Sequence, residues 1–191
     1  MRQLFNKLAV AMATTTLVAS SSLAEPKAKV PEATVVAMSP TFTWNGVTVS
    51  NQGRLFVSMQ RDVKDSTTPS VGEILPNGTI AAFPGGSWNQ FRWGNSGENQ
   101  FIGINSVVSD SKDQLWVVDP AGIGGQPIAG KAKLVQIDIP SRKVVRVYRL
   151  DTKVVPKGGF INDVRVGGGY AYLPDSSLGA LIVVNLSTGQ A

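Results

Sequence analysis

Three times along this chain an asparagine opens a short apolar alternation, a turn with Gly or Asp follows, and a second strand-like run ends the unit. The copies are "NGVTVSNQGRLFVSM" from Asn45, "NSVVSDSKDQLWVVD" from Asn105 and "NDVRVGGGYAYLPD" from Asn162. Each second run carries an aromatic–apolar pair: Phe56-Val57, Trp116-Val117 and Tyr172-Leu173. Alternation at period two, bounded by turn residues, predicts a β-hairpin, because successive strand side chains point to opposite faces. A second hairpin pattern follows each copy. "VGEILPNGTIAAFP" turns at Asn77-Gly78, "KLVQIDIPSRKVVRVYRL" turns at Pro140-Ser141, and "ALIVVNLSTGQA" begins at Ala180 and stops at its turn. Units of four strands in tandem predict an all-β fold, a β-propeller. The expected blades run from about 44 to 84, 105 to 150 and 162 to 191, the third without its outer strand.

Closure of the ring is what shields blade edges, and three blades do not close one. The expectation is therefore the front half of a longer propeller. The alternative is a complete three-blade chain that self-associates into a ring. The excess length of the repeat falls in two glycine-rich loops, "SWNQFRWGNSGENQFIG" and "PAGIGGQPIAGKA". Residues 25–43 read as an extended leader in which "ATVVAM" is a candidate edge strand. The runs "GIGG" and "GGG" open no helix and lack the Lys-Ser/Thr ending of a phosphate loop, so they read as turns. With 20 glycines and 11 prolines, and no amphipathic helical pattern after the N-terminus, the composition suits a turn-rich sheet protein.

The N-terminus has a secretory pattern: Arg2 and Lys7, the weakly apolar "LAVAMATTTLVA", then "SLA" at Ser22 to Ala24. Residues 1–24 are expected to be a signal peptide. The apolar run is too short and too rich in threonine for a membrane anchor. The expected location is secreted or periplasmic, with no membrane association after cleavage. The basic cluster "SRKVVRVYR" splits between two faces if it is a strand, which predicts a solvated edge strand and no nucleic-acid partner.

The chain has no cysteine and no histidine. A thiol nucleophile, a disulfide, a Ser-His-Asp triad and a histidine zinc site are all excluded. Chemistry would fall to carboxylates, Lys, Tyr or a hard cation on oxygen ligands. The repeat sets Asn45, Asn105 and Asn162 at equivalent entrances to the innermost strands, at the mouth of the central channel. Either they converge on a small-molecule ligand, or each bonds backbone in its entry loop and holds blade to blade. Asp163 is a counter-charge for an amine, a cation ligand, or the partner of Arg165. Asp119 and Asp175 follow a second strand and read as caps of the next turn. Trp116 reads as core, whereas Trp88 and Trp93, in a glycine-rich loop, are the candidates for an aromatic wall. Asn77 and Asn185 open N-x-Ser/Thr acceptor patterns that matter only in a eukaryotic secretory route.

The segments "LFVSMQR", "PSVGEIL.NG....FP", "SWN", "INSVVSDSKDQLWVVD", "KLVQIDIPSRKVVRVYRL" and "INDVRV....AYLPDSSLGALIVVNL" resemble the major royal jelly protein and Yellow family. The resemblance covers most of Leu55 to Leu186. The family reads close to Ala-Tyr-Ile-Ser-Asp-Ser where this chain has Ala171-Tyr172-Leu173-Pro174-Asp175-Ser176, so Pro174 is a departure. The missing cysteines fit a bacterial branch. The resemblance implies a secreted six-bladed propeller, of which about three blades are present. It implies no single reaction, since members are associated with pigment-pathway chemistry, binding of small amines, and nutrition.

A more distant likeness is to the gluconolactonase and senescence-marker propellers, which hold a divalent cation in the channel. Under that alternative Asn105, Asn162 and Asp163 are the metal ligands, for Ca²⁺ or another divalent cation. The family's first-blade Glu is replaced by Asn45-Gly46, which removes the strongest oxygen ligand on that side. The leading expectation is therefore a propeller that binds a small polar or aromatic-amine ligand through Asn105, Asn162, Asp163, Trp88 and Trp93, with no cofactor. A metal-dependent lactonase or hydrolase and a purely structural propeller are the alternatives.

Overall fold

The computed structural model describes residues 32–61, 68–124 and 126–191. The expected signal segment lies outside them. The chain divides into two compact units, Met1–Val35 and Val36–Ala191. Of the first, only residues 32–35 are described, and they carry no regular structure.

The second unit is built from antiparallel sheets. The first sheet holds β1 (Trp44–Val49), β2 (Leu55–Met59), β3 (Val71–Ile74) and β4 (Ile80–Ala82) in that spatial order. The second runs β5 (Ser106–Ser109), β6 (Gln114–Asp119), then β9 (Lys133–Asp138) and β10 (Lys143–Arg149). Between β6 and β9 the chain makes a two-stranded ribbon, β7 (Gly122–Ile123) with β8 (Gln126–Pro127). The third sheet is β11 (Arg165–Gly167), β12 (Tyr170–Asp175) and β13 (Ala180–Asn185). Each sheet is a meander of neighbouring strands. The fold is a β-propeller, and the sheets are its blades. The one regular helical piece among the described residues is a short 3₁₀ turn, Gly86–Asn89.

The blades pack face to face, and β6 shows why. Its residues alternate between two cores. Leu115 and Val117 join Phe56, Val71, Phe83 and Phe101 between the first and second blades. Trp116 and Val118 join Leu134, Tyr148, Val164 and Leu173 between the second and third. A sheet covered on both faces needs apolar residues at every position, so "LWVV" is a continuous run without polar alternation. Burying side chains of this size contributes roughly 1.5–3 kcal/mol each. Trp116 is core, as its sequence setting implied, and its indole Nε1 donates to Asp110 Oδ2 at 2.9 Å.

"ATVVAM" forms no strand. Its residues carry no strand assignment, and Val35, Val36 and Met38 are strongly exposed. The first blade already ends at β4, which pairs only with β3 along three residues. So short an edge presents little backbone for a further strand.

The first two blades are also tied by charge. Arg54 donates Nε and Nη2 to the two carboxylate oxygens of Glu73 at 2.7 and 2.8 Å, and Arg142 reaches the same carboxylate at 3.1 Å. Both guanidinium groups lie over the Phe83 ring, 5.6 and 4.6 Å from its centroid. The Arg54 hydrogen bonds hold the Glu73 carboxyl below its ordinary range, against the opposing effect of burial. A depressed carboxyl pKa contributes stability that is complete above the unfolded value, near 4.3, and disappears as pH falls through the folded one. Melting temperature is therefore expected to fall with acid below about pH 4, and Glu73→Gln is expected to flatten that fall while lowering stability at neutral pH. Parallel acid slopes for the two proteins in a thermal-melt series would refute it.

Candidate functional site

The innermost strands of the first and second blades lie side by side, and Gly46 permits the approach. A Cβ on Gly46 would sit 2.9 Å from Ser58 Oγ and 3.2 Å from Ser106 Cα. At the entrance of each inner strand stands its asparagine. The repeat is kept in the backbone: Asn105 N donates to Val118 O at 3.0 Å and Asn162 N to Pro174 O at 2.9 Å.

The side chains then join across blades. Asn45 Nδ2 donates to the carbonyl oxygen of Asn105 at 2.7 Å and to its Oδ1 at 2.6 Å. Asn105 Nδ2 donates in turn to the carbonyl oxygen of Asn162, at 2.9 Å, and to Asn162 Oδ1. Asn45 and Asn105 each hand their donor to the next copy, so three blades are stitched by one row. Ser58 Oγ and Gln60 Nε2 support the middle member, donating to Asn105 O at 3.1 Å and to Asn105 Oδ1 at 3.3 Å. Asn105 is buried, while Asn45 and Asn162 are exposed. The alternative in which each asparagine bonds backbone and holds blade to blade is met in its second half, but the backbone is not that of the residue's own entry loop. Their partners belong to the neighbouring blade, at sequence separations of 60 and 57.

The row floors an open cleft of about 330 Å³, whose polar lining is Asn45, Asn105, Ser106, Asn162, Asp163 and Arg165. Asp163 is the only carboxylate among these residues. Its Oδ1 accepts from Ser106 Oγ at 2.8 Å and its Oδ2 from Arg165 Nη1 at 2.7 Å. The pairing with Arg165 is thus real, but the side chains of Arg165 and Asp163 are 72% and 41% exposed. Solvent screens such a pair, so it is worth little and can be exchanged.

Trp88 and Trp93 do not line this cleft. Trp88 sits in the 3₁₀ turn and packs on Phe101, ring centroids 5.1 Å apart, at the edge of the core between the first two blades. Trp93 is half exposed in the loop beyond. The loop is anchored by a residue the sequence reading passed over, Asn89. Its Oδ1 accepts from Ser70 N and Val71 N at 2.8 and 3.0 Å, and its Nδ2 donates to Phe83 O at 3.0 Å. These bonds fix the loop against β3, and the Trp88 ring is carried into the core with it.

Asp119 does cap locally, accepting from Ala121 N at 2.9 Å. It also accepts from Ile102 N and Gly103 N and forms a buried ion pair with Lys133 Nζ at 2.8 Å. The Lys133 ammonium donates further to Gly97 O at 3.1 Å, which latches the loop before the second blade. Only the register of β6 on β9, which sets Asp119 opposite Lys133, makes this pair visible. Asp175 caps too: its Oδ1 accepts from Phe160 N, Ser177 N and Leu178 N at 3.1, 3.0 and 2.9 Å. Asn77 and Asn185 each fold their Oδ1 onto their own turn, at Thr79 and at Ser187.

The donor set at the cleft does not fit a hard cation. Asn105 Oδ1 and Asn162 Oδ1 already accept protein amides, and both Asp163 oxygens are bonded. Among the described residues no three Asp, Glu, His or Cys side chains are grouped so that they could hold a metal ion. A divalent ion there would share its oxygens with these hydrogen bonds and would have a single carboxylate, Asp163, among the cleft residues.

Comparison with known proteins finds a likeness over part of the chain. Residues 103–191, just under half the chain, match the model described as major royal jelly protein. The expected resemblance from Leu55 to about residue 102 lies outside that match. No curated protein matches the chain. Among solved structures, a gluconolactonase from Xanthomonas campestris aligns at 13% identity and TM-score 0.38, over 77% of this chain and 60% of its own. The computationally designed Ika4 protein aligns at 10% identity and TM-score 0.37, over 82% and 99%. A catalytically inactive virginiamycin B lyase from Staphylococcus aureus, with quinupristin, aligns at 14% and 0.31, over 80% and 59%. No helix among the described residues is long and apolar enough to cross a membrane.

Proposed function

We propose that this propeller, with its major royal jelly protein match over residues 103–191, is an exported binding module for a small polar ligand bearing an amine. The ligand would lie on the asparagine row and set its ammonium against Asp163. The observation that carries this reading is the convergence of three blade-entrance amides on a cleft with a single, accessible carboxylate. Exposed Asn45 and Asn162 offer polar edges for orientation, and Asp163 offers the charge. The one carboxylate of the cleft, Asp163, already accepts from Ser106 and Arg165, which favours holding a charge over abstracting a proton. The tryptophans lie elsewhere, so recognition rests on polar groups and charge.

Titration calorimetry with tyramine and with its uncharged analogue 4-ethylphenol tests this. Tyramine is expected to bind and 4-ethylphenol to bind at least about tenfold more weakly, the scale of one hydrogen bond to a charged group. Asp163→Asn is expected to remove most of that difference. Equal affinities for the two probes, or no heat from tyramine, would overturn the reading. Millimolar Ca²⁺ or Mg²⁺ is expected to leave the melting temperature unchanged, and a metal-dependent rise would restore the lactonase alternative.

A further inference from the structure

The second and third blades differ at one buried carboxylate, and the difference has a chemical meaning. Asp119 and Asp175 are equivalent. Each ends the second strand of its blade, is almost fully buried, and caps the following turn. Register pairs Asp119 with Lys133 and Asp175 with Ala180. In the second blade, Oδ2 takes the Lys133 ammonium at 2.8 Å and the Ile102 amide at 2.9 Å. In the third, the Gly159 amide donates to Pro156 O instead, at 2.9 Å, and position 180 carries only a methyl group. Asp175 Oδ2 is consequently buried with no hydrogen-bond partner among the described residues. Gly159 lets the backbone lie close against this oxygen, since a Cβ there would be 2.6 Å from it. Leaving a buried carboxylate oxygen unmatched is costly, and the neighbouring repeat shows which group satisfies it.

We propose that Asp175 Oδ2 is an acceptor site for a primary alkylammonium group brought from outside the third blade. The approach runs over Ala180, which is exposed where Lys133 is buried. The fitting group is an ammonium and not a metal ion, because one carboxylate with its other oxygen shared among three amides is a poor cage for a hard cation but a complete partner for one N–H. The ammonium is either free, as in a small amine, or tethered, as on the lysine of a segment packed on this blade. The site is separate from the asparagine cleft, whose polar lining does not include Asp175.

Two arms test it on the full chain. Ala180→Lys places a tethered ammonium at the register of Lys133, with Ala180→Met as the control for its alkyl stem. The lysine variant is expected to melt about 3 °C or more above the methionine variant, roughly the effect of one kcal/mol in a domain of this size. Ethylammonium chloride is compared with tetraethylammonium chloride at equal ionic strength, and is expected to stabilise the natural chain but not Asp175→Asn. Stabilisation in the first arm alone assigns the site to a tethered lysine. Stabilisation in the second alone assigns it to free amines, and in both arms to either source. No gain in either arm overturns the proposal. Should Asp175→Asn fail to fold, the lysine–methionine and ethyl–tetraethyl contrasts still decide it.

Discussion

Asp119→Ala is expected to lower stability by about 5 kcal/mol, more than Lys133→Met, at about 3 kcal/mol. The two halves of one ion pair are unequal because of what each removal leaves behind. Without Lys133, the Asp119 carboxylate keeps three backbone donors, from Ile102, Gly103 and Ala121. Without Asp119, the Lys133 ammonium keeps only Gly97 O, and those three amides lose their acceptor. An unpaired buried cation and three orphaned donors cost more than a partly satisfied anion. Since whole domains are stable by only about 5–15 kcal/mol, the aspartate variant is expected to lie near the edge of folding. Thermal or urea melts of the two variants check the order. The double replacement Asp119→Leu with Lys133→Met is expected to fall between the natural chain and Asp119→Ala, because it leaves no buried charge. Equal losses for the two single variants would mean that Lys133 alone carries the latch on the loop at Gly97.

Asn105→Ala is expected to cost about 2–3 kcal/mol and to weaken tyramine binding by at least about tenfold. Asn105 is the buried hub of the row: its side chain takes a donor from the first blade and gives donors to the third. Asn162 is exposed, so water replaces part of what it loses, which keeps the loss below that of the buried ion pair. Asn105→Asp is the sharper probe. It preserves shape and the acceptors for Asn45 and Gln60, but turns two acceptors of Asn162 against a carboxylate. It is therefore expected to be no better than alanine. A double-mutant cycle between positions 105 and 162 is expected to show a coupling of at least about 0.5 kcal/mol. Additive losses would mean that the two asparagines act separately, and that the row is not a unit.

Much of the fold was legible because hairpins are local. Asn45, Asn105 and Asn162, the turn residues after them, and the pairs Phe56-Val57, Trp116-Val117 and Tyr172-Leu173 lie within short windows whose period reports strand geometry directly. The repeat then set the three asparagines at equivalent entrances without any structure. Trp116 was legible as core for the same reason. The edge strand at "ATVVAM" was misread, because apolar β-branched residues describe a strand's fitness and not the presence of a free edge.

By itself, then, the sequence determined the all-β repeat, the position of the asparagines and the residue types that these 191 residues can bring to a site, since an alternation, a spacing and a composition are properties of the chain alone. Only the tertiary structure decided what those residues touch. Asn45 reaches Asn105 and Asn105 reaches Asn162 across about one repeat length, Lys133 meets Asp119 through strand register, and Asn89 carries Trp88 away from the cleft. The physical reason is that a hydrogen bond or ion pair depends on ångström-scale juxtaposition of side chains. That juxtaposition arises only when blades pack face to face, and no window of sequence contains both partners.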